Sequence, residues 1–118
     1  MIKTKSIYYN DKEPHDGTRI LVMRRWPRGI SKDQIDEWRK DLGPSMELLQ
    51  QWNKGEIAFA EFRERYLAEM QDKAEEVQEL ARQARTETIT LLCHEKSEDH
   101  CHCKMLKELI EQRMGELP

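Results

Sequence analysis

Hydrophobic positions change their rhythm several times along this chain, and each change predicts an element. At the start, Ile2 and the run Ile7, Tyr8 and Tyr9 favour extended backbone, which predicts a first strand over residues 2–9. The turn formers of NDKEPHDG follow and end at Gly17. Next, RILVMRRW carries four consecutive apolar residues, Ile20, Leu21, Val22 and Met23, between arginines, the pattern of a strand buried on both faces. This segment predicts the central strand. Pro27 and Gly29 close it, and Ser31 followed three residues later by Gln34 has the spacing of a capping box, predicting a first helix over 32–42. Gly43 and Pro44 break that helix, and a second one through Leu48, Leu49 and Trp52 ends at Gly55.

Beyond Gly55 the period becomes plainly helical. Phe59, Phe62, Tyr66, Leu67 and Met70 recur at three and four, and Val77, Leu80, Ala81 and Ala84 continue the stripe. Two helices are predicted here, divided near Asp72, with Glu75 placed to complete an N-terminal cap. From Thr86 the pattern switches to TETITLLC, whose β-branched residues and unbroken apolar end predict a strand over 88–93. A last helix is expected from about Ser97, with Glu98 and Asp99 in its first turn and Met105, Leu106, Leu109 and Ile110 as its buried stripe.

A long helical stretch separates the second and third strands, so a parallel pair joined by a right-handed crossover is the economical arrangement. The expected fold class is therefore α/β: a small, mostly parallel sheet of about three strands covered by about five helices, with residues 1–118 forming a single domain. Ligands of open parallel sheets collect at the carboxyl ends of the strands. Here those ends are residues 24–29 and 93–99.

Composition narrows the function classes. Charged residues are 36% of the chain, but 20 basic residues nearly balance 23 acidic ones, so a net charge of -3 offers no global attraction for nucleic acid or an anionic membrane. No apolar run reaches the roughly 18 residues of a membrane span, and the first residues lack a signal-peptide core. A cytoplasmic location is expected. The three cysteines, odd in number and crowded together, do not resemble a disulfide framework and suit a reducing compartment.

That crowding is the most distinctive chemistry in the chain. Residues 93–103 hold all three cysteines and three of the four histidines. At about 100° per residue, His102 falls on the centre line of the last helix's apolar stripe, Cys101 and Cys103 fall on its flanks, and His100 points to solvent. Cys93 ends its strand and Glu95 follows two residues later, so both can return over the helix that carries Cys101 and His102. A thiol near a helix N-terminus is acidified by the dipole, which makes Cys93 or Cys101 a candidate nucleophile with His102 or Glu95 as proton partner. The same atoms of Cys93, Cys101 and His102 could serve zinc or iron, although the paired C-x-x-C spacing of structural zinc sites is absent. Plain packing also accounts for them, with Cys93 an inert buried thiol and His102 a core histidine bonded to backbone.

The second candidate lies in RRWPRG, where Arg24, Arg25 and Arg28 surround Trp26 at the end of the central strand. Guanidinium groups of Arg24 and Arg28 beside Trp26 suit a carboxylate or phosphate. Salt bridges to nearby acids are the bland alternative.

With these residues in view, the chain resembles domain-of-unknown-function family 488, including its YeaO-like branch, over nearly its whole length. The likeness rests on DGTRILVMRRWPRGIS (16–31), on WRKDLGPSMELLQQW (38–52) and on AEFRERYLAEM (60–70). The C-terminal piece is similar to a C-x-E-x5-C-H pattern, carried by Cys93, Glu95, Cys101 and His102. Met23 stands where YeaO-like members commonly have aspartate, and Cys103 stands where the C-x-E branch has arginine. The resemblance implies the fold and the location of a site, not a reaction.

Three functions remain open at this level. One is binding of a small anionic ligand, carboxylate, phosphate or nucleotide-like, between the arginine rim and the Cys/Glu/His cluster, with thiol or acid/base chemistry attached. Another is a metal-binding or redox-sensing module built on Cys93 to Cys103. The third is a non-catalytic interaction protein docking through the charged helices of 56–85. Homo-oligomers fit any of them.

Overall fold

The computed structural model describes residues 1–8, 12–93 and 102–116. Four parallel strands, β1 (Ile2–Ser6), β2 (Thr18–Leu21), β3 (Glu37–Trp38) and β4 (Ile89–Cys93), form one sheet in the order β1-β4-β2-β3. Four α-helices accompany it: α1 (Met46–Asn53), α2 (Phe59–Gln71), α3 (Ala74–Thr86) and α4 (His102–Glu116). The α/β class and the parallel crossover hold, with one more strand and one fewer α-helix than the sequence pattern suggests. No helix among the described residues is long and apolar enough to cross a membrane.

β4 occupies the centre, inserted between β1 and β2, and all five of its residues are buried. Its uninterrupted ITLLC run is what a strand covered on both faces requires. β2 is the other interior strand, and Arg19, Ile20 and Leu21 are fully inaccessible. It is shorter than the apolar run, ending at Leu21, although Val22 still donates its N–H to Leu92 O. Past that point Met23 O turns to accept from the Trp38 indole at 2.8 Å, so residues 23–26 form the rim instead of continuing the ladder. β1 is likewise shorter than expected, with Ile7 and Tyr8 already in a turn.

The two faces of the sheet are covered differently. Ile20, Val22, Ile89 and Leu91 face the helices, where Leu48, Tyr66, Leu80 and Ile110 complete the main core. Each fully buried Leu or Ile there contributes about 1.5–3 kcal/mol relative to exposure. On the other face Leu21 and Leu92 meet Ile7 and Ile35, with Trp26 and Ile30 packed against them.

That second cluster explains the largest correction. The helix expected over 32–42 does not form; the segment contains a 3-10 turn at Lys32–Gln34, the short edge strand β3, and another 3-10 turn at Lys40–Leu42. Ile35 is needed on the loop-covered face and Leu42 on the helix-covered face, so one helix cannot bury both. Extended backbone satisfies the segment instead: Asp36 N donates to Arg19 O and Arg39 N to Leu21 O, both at 2.9 Å. The Ser31 hydroxyl donates to the Asp33 carboxylate, and no side-chain cap of a helix exists there. The division near Asp72 is correct, but Asp72 closes α2, and Lys73 precedes α3 without a side-chain cap.

Under the loop-covered face, Asp16 collects three cations. Its Oδ1 lies 2.7 Å from Lys3 Nζ and 2.8 Å from Lys5 Nζ, and its Oδ2 is 2.5 Å from Arg19 Nη1. Asp16 and Arg19 are both wholly inaccessible. Burial alone would raise this carboxyl, but hydrogen bonds from Lys3, Lys5, the Glu13 amide and Arg19 outweigh it and hold it well below the usual carboxylate range.

Candidate functional site

The described residues of both segments singled out from the sequence lie at the carboxyl edge of the sheet. β4 ends at Cys93 beside the end of β2, and Met23, Arg24 and Arg25 continue directly from it. α4 carries His102 to the same rim, where its Nε2 is 2.5 Å from Val22 O. A carbonyl only accepts, so Nε2 carries the hydrogen and the ring's orientation is set by the strand end. His102 is buried at 7% exposure, as the phase of the helical stripe requires.

A turn between β3 and α1 builds the next wall. Gly43 sits so close to the rim that a Cβ there would stand 2.8 Å from Arg24 N and 3.1 Å from Val22 O, contacts that exclude any side chain. Tyr66 of α2 donates its hydroxyl to Leu42 O at 2.7 Å; burial pushes this phenol well up, so it donates as the neutral form. Ser45 caps α1 by accepting from Leu48 N, while its own N–H and hydroxyl donate to the two Glu69 carboxylate oxygens at 2.8 and 2.5 Å. Arg24 Nε donates to Pro44 O at 3.1 Å, and its Nη1 is 3.6 Å from Asp41.

These contacts enclose a cavity of about 270 Å3 between the rim, α1 and α4. Arg24, Arg25, Gln50, Asn53 and His102 contribute its polar groups. Met23, Met46, Leu49, Trp52 and Phe62 contribute its apolar walls. Arg25 is exposed and has no carboxylate partner among the described residues.

The sequence-predicted site residues are thus only partly brought together. Arg24 and His102 meet at this cavity. Trp26 does not: its indole donates to Ile30 O at 2.8 Å and packs edge-on against Trp38, with ring centroids 5.4 Å apart, on the loop-covered side. Arg28 is exposed beyond the buried Pro27 and does not line the cavity. Glu95, Cys101 and His100, like the expected helix start at Ser97, lie outside the described residues. Cys93 is disulfide-bonded, which overturns the expectation of three reduced cysteines, and its bonding partner lies outside the described residues. Cys103 is a buried thiol in the main core, 1% exposed.

Among the described residues, the possible metal ligands that approach one another are Glu13, His15 and Asp16. Lys3, Lys5 and Arg19 already occupy the Asp16 carboxylate, so this group is a salt-bridge hub and not a cation site. The cavity residues that sequence reasoning passed over are those of α1, predicted there only as a helix through Leu48, Leu49 and Trp52. Gly43, which cannot carry a side chain against the rim, is the signal that α1 is held close to it.

Comparison with known proteins finds relatives that are themselves uncharacterized. The chain is 40% identical to the uncharacterized protein YeaO of Escherichia coli (strain K12) over 104 residues, 86% of this chain and 90% of that one. It is 35% identical to the uncharacterized protein Rv3073c of Mycobacterium tuberculosis (strain ATCC 25618 / H37Rv) over 107 residues, 89% of this chain and 90% of the relative. No solved structure matches significantly. A family model described as the active DUF488-N3 subclade matches residues 2–114, and the chain belongs to that family.

Proposed function

We propose that this protein binds a small anion in the cavity at the carboxyl edge of its sheet. The observation that carries the reading is Arg25: an exposed guanidinium on the wall of that cavity, with no carboxylate opposite it among the described residues. Arg24, tethered to Pro44 O and Asp41, adds a second positive charge whose position is set by the turn. An anion between them gains charge-assisted hydrogen bonds on a partly desolvated surface. His102, which lines the same cavity, is then the group through which any proton chemistry on the bound anion would pass.

Titration calorimetry with inorganic phosphate tests this. Binding is expected to weaken about 10- to 100-fold in Arg25→Ala, the loss associated with a hydrogen bond to a charged group of about 1.5–3 kcal/mol. Unchanged phosphate affinity in that variant, with its fold intact by circular dichroism, sinks the reading.

The disulfide at Cys93 favours a second reading, a redox-responsive module. A dithiol reductant would transfer two electrons and two protons to this bond, releasing two thiols and becoming a disulfide itself. The strand end beside β2 would then be covalently untied from its partner. Protein purified without reductant, unfolded and treated with iodoacetamide, is expected to take up one adduct, and three after reduction, since the chain has three cysteines. Three adducts before reduction would remove the basis for this reading.

A further inference from the structure

Resting on the anion reading above, we infer that the ligand of this cavity is an organic acid, a phosphate monoester or carboxylate, on an apolar body about the size of one ring. The walls change character with depth. Arg25, Gln50 and Asn53 are exposed and stand at the mouth, whereas Phe62 and His102 are buried at the floor. Between them lie Met23, Met46, Leu49 and Trp52, all half-buried.

A bare inorganic anion makes poor use of such a site. Its charge is satisfied at the mouth, and pushing it further inward strips water from it against methionine and aromatic surface that returns no hydrogen bonds. Among the described residues the single polar group of the floor is His102, and its Nε2 hydrogen is committed to Val22 O. An apolar body resolves the mismatch, because its surface leaves water together with that of the walls, at about 25 cal/mol per Å2.

Size and shape fit one ring. A cavity of about 150 Å3 lined by apolar side chains takes up benzene in a protein of known behaviour, and this one, at about 270 Å3, leaves room for a head group as well. Trp52 and Phe62 lie 5.2 Å apart between ring centroids and 32° from parallel, so they form one tilted aromatic wall. Two flexible methionines, Met23 and Met46, face the same space, and thioethers make favourable contacts with aromatic rings. The ligand therefore enters ring first and leaves its acid at Arg25.

The test is a calorimetric series on the full chain with phenyl phosphate, inorganic phosphate and benzyl alcohol. Phenyl phosphate is expected to bind at least about tenfold more tightly than inorganic phosphate, given about 25 cal/mol per Å2 for the buried ring. Met46→Gln, which keeps the length of the side chain but not its apolarity, is expected to weaken phenyl phosphate by a larger factor than inorganic phosphate, and equal losses for the two overturn the apolar-body inference. Equal affinities for the two phosphates overturn the apolar-body inference and leave the anion reading standing. Benzyl alcohol binding as tightly as phenyl phosphate overturns the anion reading. No binding of any of the three overturns both.

Discussion

Gly17→Ala is expected to abolish the native fold at ordinary temperature, or to lower its stability by more than about 3 kcal/mol in urea unfolding followed by circular dichroism. Two independent reasons combine. Gly17 has φ +65° and ψ −137°, a backbone region that side chains essentially do not enter. Its missing Cβ would also lie 1.9 Å from Thr88 O, the oxygen that accepts from Thr18 N at 3.1 Å and starts the pairing of β2 with β4. Relief requires the two central strands to separate at their first rung. Gly55→Ala is the control, since Gly55 has φ +73° but nothing within 4 Å of an added Cβ. That variant carries only the left-handed penalty of about 1–2 kcal/mol. Equal losses in the two variants would show that the contact with Thr88 is not what makes Gly17 necessary.

The second large effect is expected from Asp16→Asn. The substitution keeps the shape and, among the described residues, removes the only charge facing Lys3, Lys5 and Arg19 in this hub apart from Glu13, which is exposed and 2.5 Å from Lys5. Arg19 is fully buried, and leaving a buried charge without its partner costs about 3–5 kcal/mol. The pH dependence has a definite sign. Because the folded-state pKa of Asp16 is depressed, its stabilisation is fully present above the unfolded value of about 3.9. It is lost as pH falls from there through the folded value. The stability gap between wild type and Asp16→Asn should therefore be full at neutral pH and narrow progressively in acid below about pH 4. Urea unfolding of both proteins across that range measures it, and a gap that stays constant into strong acid would contradict the assigned ion pairs.

These two residues are neighbours, and together they account for the DG at the head of the second strand. Asp16 gathers the cations of β1 and β2 under the loop-covered face and accepts from Thr90 Oγ1 through its own carbonyl at 2.7 Å. Gly17 lets the chain then pass against β4. From the sequence alone both read as turn formers, since turn chemistry does not reveal what the turn will press against. The same limit applies to Gly43, which reads as a helix breaker and acts as a point of close approach to the rim.

What could be read along the chain were the properties that depend on a residue and its near neighbours. The apolar runs of Ile20 to Val22 and Ile89 to Cys93 required strands buried on two faces, and α2, α3 and α4 announced themselves through stripes at three and four. The inward direction of His102 followed from helical phase, which is local geometry. The segment after Ser31 misled for the same reason. Its apolar residues at 35, 38 and 42 have helical spacing, yet Ile35 and Leu42 serve opposite faces of a sheet and Trp38 stays 42% exposed. Period alone cannot say that two faces will be competing for one segment.

Local pattern by itself determined three of the four strands, most helices and the edge at which two chemically unusual segments would fall, because backbone propensity and burial period act within a few residues. Only the tertiary structure decided which side chains share a space. It sent Trp26 to the far face, left Arg28 in solvent, and brought α1 against Arg24, Arg25 and His102. Those outcomes turn on contacts between residues tens of positions apart, whose distances are set by how the helices pack on the sheet and leave no periodic trace in the chain.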